Sequence, residues 1–161
     1  MTIGFILNGE DVVVKTSAEN RLVDILRQTF SLLGARAGCY LGICGACTVI
    51  FNGEIVKSCL IPAFKIRDSE IITIEGFSQS DEYQDIVMGF AEAGVKNCGF
   101  CNTGKILTAE ALLEKNSMPE EIEILNAFVG NKCRCTDNES LVQGVLIASD
   151  RRRQRTNERS H

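Results

Sequence analysis

"GCYLGICGACTVIFNG", residues 38–53, decides the fold. Cys39, Cys44 and Cys47 stand at C-x4-C-x2-C spacing among Gly38, Gly42 and Gly45, and an apolar run, residues 48–51, follows at once. A loop this tight needs residues that accept positive φ, and it brings backbone N–H groups close to sulfur. The apolar run stops at Asn52-Gly53, a dipeptide that closes hairpins. A fourth cysteine, Cys59, comes after eleven intervening residues.

Outward from this loop the first half reads as strands with one helix inserted. "TIGFILNGEDVVVK" holds two apolar runs joined at Asn8-Gly9, a second hairpin signal. "NRLVDILRQTF" places Leu22, Ile25 and Leu26 at helical spacing, with Asn20 as candidate cap, and "EIITIEG", 70–76, supplies a last strand. After Gly76 the polar "FSQSDE" leads into helical periodicity, with helices predicted over 82–93, 104–115, 119–129 and 139–149. Pro119 suits the first turn of the third, and Gly94 and Gly130 suit stops after the first and third. Short helices with brief connections predict a bundle. The expected class is therefore α+β, with a mixed-sheet domain over 1–77, an all-α four-helix domain over 78–150, and a basic, frayed tail over 151–161.

Composition sets bounds. Hydrophobic residues make up 45% and charged residues 24% of the 161, a globular balance. The formal charge is −4, but residues 151–161 hold five arginines and one glutamate, a local +4 that leaves −8 on the rest. That body offers no basic face for nucleic acid. No signal-peptide pattern opens the chain and no run of about 18 apolar residues appears, so the expectation is a cytoplasmic protein without a membrane span. Thiols stay reduced in that compartment, so eight cysteines point to metal or redox chemistry; in a secreted protein they would point to four disulfides.

The cysteines divide into four and four. C-x4-C-x2-C with a distant fourth cysteine is the plant-type [2Fe–2S] spacing, so Cys39, Cys44, Cys47 and Cys59 form one ligand set. Cys98-x2-Cys101 and Cys133-x-Cys135 form the other, each pair falling just before a predicted helix whose unpaired N–H groups favour a dianionic cluster. Thr136 or Asn138 is placed to cap the later helix. Zinc also takes four cysteines, but usually as two C-x2-C knuckles, which neither set matches. "CGFC" as a thioredoxin-like pair would want a βαβ context. The sole histidine is His161, and no G-x-G-x-x-G or Walker loop is present. Catalytic residues are therefore not expected, and the chain reads as an electron carrier; an interaction module stabilised by zinc at each four-cysteine set, without redox role, remains the alternative.

"GCYLGICGACTVIFNG" with Cys59, "CGFC" with Gly104, and "GNKCRCT" together resemble the small iron–sulfur subunit of the molybdenum hydroxylases, the xanthine dehydrogenase and aldehyde oxidase family. The likeness runs in order over about residues 2–150. It implies a β-grasp, ferredoxin-like N-terminal domain and a helical C-terminal domain, each with one [2Fe–2S] cluster. It also implies two partners: a large subunit that binds molybdopterin and hydroxylates a purine, N-heterocycle or aldehyde, and a subunit that binds FAD. Electrons would enter at Cys98, Cys101, Cys133 and Cys135 and leave from Cys39, Cys44, Cys47 and Cys59. By the same likeness Asn97, Gly99 and Cys135 are candidate pterin contacts. Where the family usually reads Gln, Thr and Pro around its C-G-(F/Y)-C motif, this chain has Asn97, Asn102 and Thr103; where it reads Gly-Tyr after Cys-Arg-Cys-Thr, this chain has Asp137 and Asn138. A diverged subunit serving a non-molybdenum reductase would keep the clusters and lose these partners.

Overall fold

The computed structural model describes residues 1–96, 102–129 and 136–160. Strands β1 (Thr2–Leu7) and β2 (Glu10–Lys15) form an antiparallel hairpin whose turn sits at Asn8 (φ 51°) and Gly9 (φ 85°). Strands β3 (Thr48–Phe51) and β4 (Glu54–Lys57) repeat that solution at Asn52 and Gly53, φ 48° and 84°. Both turns need two successive residues at positive φ, which Asn-Gly supplies at least cost. β5 (Glu70–Ile72) then enters the middle, parallel to β1 and antiparallel to β3, giving the order β2-β1-β5-β3-β4.

Alternation along β1 sends Ile3, Phe5 and Leu7 inward. Helix α1 (Leu22–Gln28) lays Leu22, Val23, Ile25 and Leu26 on that face, all at most 3% exposed. Asn20 does not cap it: the N-cap is Arg21, without a side-chain bond, because the Asn20 amide donates to the Thr16 hydroxyl instead. The last strand is also shorter than the predicted 70–76. Asn8 receives the Thr73 N–H at 2.8 Å and donates to the Thr73 hydroxyl at 3.0 Å, and the chain turns there into the short helix α2 (Ile74–Phe77).

Helix α3 (Asp81–Ala93) starts at Ser80, whose hydroxyl accepts the Tyr83 N–H, and stops at the expected Gly94, φ 75°. α4 (Asn102–Lys115), α5 (Glu121–Ala127) and α6 (Asn138–Arg159) complete the set. Pro119 lies before α5 rather than in its first turn, since Glu120 and Glu123 form a capping box there. Gly130 is outside the described residues. Phe90, Ile106, Leu107, Ile124 and Val145 centre a second apolar core, with Ile50 and Ile72 of the sheet packed against it.

The basic tail expected over 151–161 is instead the last turns of α6, which runs to Arg159. Acidic neighbours account for the difference. Arg155 donates to Asp85 at 2.8 and 3.0 Å, Arg159 to Asp81 at 2.5 Å, and Arg152 to Glu110 at 2.5 Å. The local +4 was legible in the sequence; the carboxylates about 40 to 80 residues away that pair with these arginines were not.

Candidate metal centre

The loop from Cys39 to Cys47 is held open by three residues at positive φ: Tyr40 at 56°, Gly42 at 74° and Gly45 at 76°. This geometry turns amides inward. The N–H groups of Leu41 and Ile43 lie 3.3 and 3.4 Å from Cys39 Sγ, and that of Ala46 lies 3.5 Å from Cys44 Sγ. The amide of Cys44, then those of Leu41 and Ile43, pull the Cys39 thiol down to about 6. Cys47 and Cys59 are buried, and burial together with the neighbouring Cys47 side chain pushes the Cys59 thiol up to about 11.

Distant residues fix the fourth thiol against the other three. Ser58 donates both its N–H (3.1 Å) and its hydroxyl (2.6 Å) to the Cys47 carbonyl, which locks Cys59 beside Cys47. Arg21 donates to the carbonyls of Tyr40 (3.1 Å) and Cys59 (3.3 Å), and its guanidinium lies 4.9 Å from the centre of the Tyr40 ring. Tyr40 in turn donates to Asp24 at 2.9 Å. Lys57 adds a half-buried cation that donates to the Thr48 hydroxyl and senses all four thiols. Arg21, Ser58 and Lys57 carry no motif, so spacing alone did not reveal them.

Among the described residues no three His, Cys, Asp or Glu side chains converge as ligands of one metal ion must. Among these thiols Cys39 interacts with Cys44, and Cys59 with both Cys47 and Cys39. Amides aimed at sulfur and a nearby ammonium also suit a cluster with net negative charge. The residues therefore fit the group.

Cys98, Cys101, Cys133 and Cys135, and with them Asn97 and Gly99, lie outside the described residues. Their flanks are described. α4 begins at Asn102, directly after Cys101, and Thr103 donates to the Gly34 carbonyl at 2.9 Å, joining the helical half to the cysteine loop's approach. A proline at 103 could not make that bond. The cap of α6 is Asp137, not Thr136 or Asn138: its carboxylate accepts the Ser140 N–H at 2.7 Å, and that N–H holds Asp137 below the usual carboxylate range. Thr136 is committed elsewhere, donating to the Lys96 carbonyl at 3.1 Å.

Two family models match the chain, a "2Fe-2S iron-sulfur cluster binding domain" over residues 10–93 and a "[2Fe-2S] binding domain" over residues 73–146. The nicotinate dehydrogenase small FeS subunit of Eubacterium barkeri is 44% identical over 94% of this chain and 96% of its own length. The xanthine dehydrogenase iron-sulfur-binding subunit of Escherichia coli O157:H7 is 35% identical over 91% of this chain and 92% of its own. Among solved structures, a chain of quinoline 2-oxidoreductase from Pseudomonas putida 86 superposes with a TM-score of 0.85 at 32% identity, covering 96% of each chain.

Proposed function

The chain belongs to the small iron–sulfur subunits of the molybdenum hydroxylases, and from that membership we propose that it carries two [2Fe–2S] clusters and relays electrons from molybdopterin on a large subunit towards FAD on another. When bound, such clusters supply one-electron carriers. In this reading residues 1–77 are a β-grasp, ferredoxin-like unit whose Cys39, Cys44, Cys47 and Cys59 hold one cluster. The helices from residue 78 onward form a four-helix unit whose Cys98, Cys101, Cys133 and Cys135 hold the other. The backbone amides turned onto the thiols of the Cys39–Cys47 loop carry the proposal.

The chain's own residues then position, charge-balance and shield. Arg21 and Ser58 keep the thiols at fixed separation, and Lys57 offsets their charge. Around this loop Leu41, Ile43, Leu60 and Phe64 are 48–68% exposed, an apolar rim that fits docking of the FAD subunit. Relatives named for nicotinate and quinoline favour a nitrogen heterocycle as the substrate of the large subunit. Asn97, Gly99 and Cys135 are the proposed pterin contacts, and a cytoplasmic location belongs to the same reading.

Metal analysis and spectroscopy test it. Anaerobically purified protein should be brown, with about four iron and four acid-labile sulfides per chain and two distinguishable paramagnetic signals on reduction. Cys44→Ser should remove one signal and Cys135→Ser the other. A colourless protein with stoichiometric zinc would overturn the proposal in favour of an interaction module, and co-purification without a molybdopterin subunit would overturn the assignment of partners.

A further inference from the structure

Lys57 ends β4 directly opposite Thr48, the first residue of β3. Cross-strand partners share one face of a sheet, and here the Lys57 ammonium donates to the Thr48 hydroxyl at 3.2 Å. Thr48 is fully buried, and its hydroxyl donates in turn to the Gly45 carbonyl at 2.6 Å, between Cys44 and Cys47 in the chain. The neighbouring Ser58 donates its N–H and its hydroxyl to the Cys47 carbonyl, so the backbone that carries Lys57 is fastened beside Cys47. The ammonium is thereby anchored to the loop that holds three of the four thiols.

Among the described residues no carboxylate pairs with it. None of their ion pairs involves Lys57, and Glu54, on the same strand, is paired with Lys115 at 2.9 Å. A half-buried ammonium has lost part of its hydration, a cost that an anion must offset. Burial disfavours the charged form, and the thiols of Cys47, Cys44, Cys59 and Cys39 favour it. Four thiolates, two sulfides and two ferric ions carry about −2, and uptake of one electron makes that about −3. A fixed positive charge stabilises the second state more than the first.

We propose that Lys57, tethered through Thr48 to the Gly45 carbonyl, is the counter-charge of the loop cluster and favours its reduced state, raising its reduction potential. This rests on the reading of Cys39, Cys44, Cys47 and Cys59 as the ligands of that cluster. The step is addition of one electron to the cluster, and Lys57 keeps its proton throughout. A unit charge near the protein surface biases such an uptake by about threefold to tenfold. With a decade worth about 59 mV for one electron, that is about 30–60 mV.

The test starts from the iron content of the purified full-length chain. A reductive titration with dithionite then follows the loop signal by paramagnetic resonance, identified as the signal that Cys44→Ser removes. Lys57→Met and Lys57→Gln should both lower its potential by about threefold to tenfold in the equilibrium, while Lys57→Arg stays near wild type and the other signal stays in place. Loss of the loop cluster in both neutral variants, with retention in Lys57→Arg, would also support the counter-charge, since only charge separates them. An unchanged potential in either neutral variant overturns the inference. So does a shift or loss in Lys57→Arg equal to that in Met and Gln, which would make Lys57 a packing residue, and so does an equal shift of both signals. A wild-type chain without iron fails differently: the cluster reading itself falls, and metal analysis shows this before any variant is titrated.

Discussion

Gly89→Ala in α3 sets two effects against each other. In a helix interior alanine is favoured over glycine by about 1 kcal/mol, so propensity alone predicts stabilisation. The structure reverses the sign. A Cβ at Gly89 would stand 2.7 Å from Ala148 N, 2.8 Å from Gly144 O and 3.0 Å from Ala148 Cα. All three are backbone atoms of α6, so no rotamer change relieves them and the helices must part. Overpacking costs about 1–3 kcal/mol, and a contact that only backbone movement can relieve belongs at the upper end. Net of propensity, we expect a loss of about 2 kcal/mol. For a chain of this size that lowers the melting temperature by about 4–8 °C. Circular dichroism of the metal-loaded chain measures it, and iron content reports whether the cysteine segments that follow α3 and precede α6 still assemble. Gly94→Ala is the control: nothing lies within 4 Å of its added Cβ, but φ is 75°. It should cost only about 1 kcal/mol, through backbone strain. A Gly89→Ala protein as stable as wild type would refute the argument that close α3–α6 approach holds this half together.

Arg21→Met removes two donations to carbonyls beside cysteines and the contact with Tyr40. Each such bond to a charged donor is worth about 1.5–3 kcal/mol at most, so bleaching of the loop cluster by chelator should accelerate severalfold while the other cluster bleaches as before. Glu110 gives a pH dependence. Burial pushes its carboxyl up to about 7 despite Arg152 at 2.5 Å. The folded state therefore holds this proton where the unfolded chain has released it, so the stabilisation is complete below the ordinary value of 4.5 and is lost as pH rises through about 7. Urea midpoints should fall between about pH 5 and 8 in wild type and fall less in Glu110→Gln.

Both Asn-Gly hairpins, the amphipathic α1 and the Gly94 stop were legible in the residues themselves. Each is encoded within a few positions, by φ preference, periodicity or interval. Local signals also misled where a distant partner intervened. The strand from Glu70 ends at Ile72 because Asn8 captures Thr73. Residues 151–159 are helix because Asp81, Asp85 and Glu110 face them. Asp137, noticed in the sequence only as a departure from the family pattern, turns out to cap α6. Arg21 was invisible as a single basic residue. Its role arises only when folding brings the carbonyls of Tyr40 and Cys59 to it. Spacing limits which thiols can share a metal, since a short loop permits few arrangements. Which amides and cations surround those thiols is settled by the folded chain alone, because charge and hydrogen bonding act across space between residues far apart in sequence.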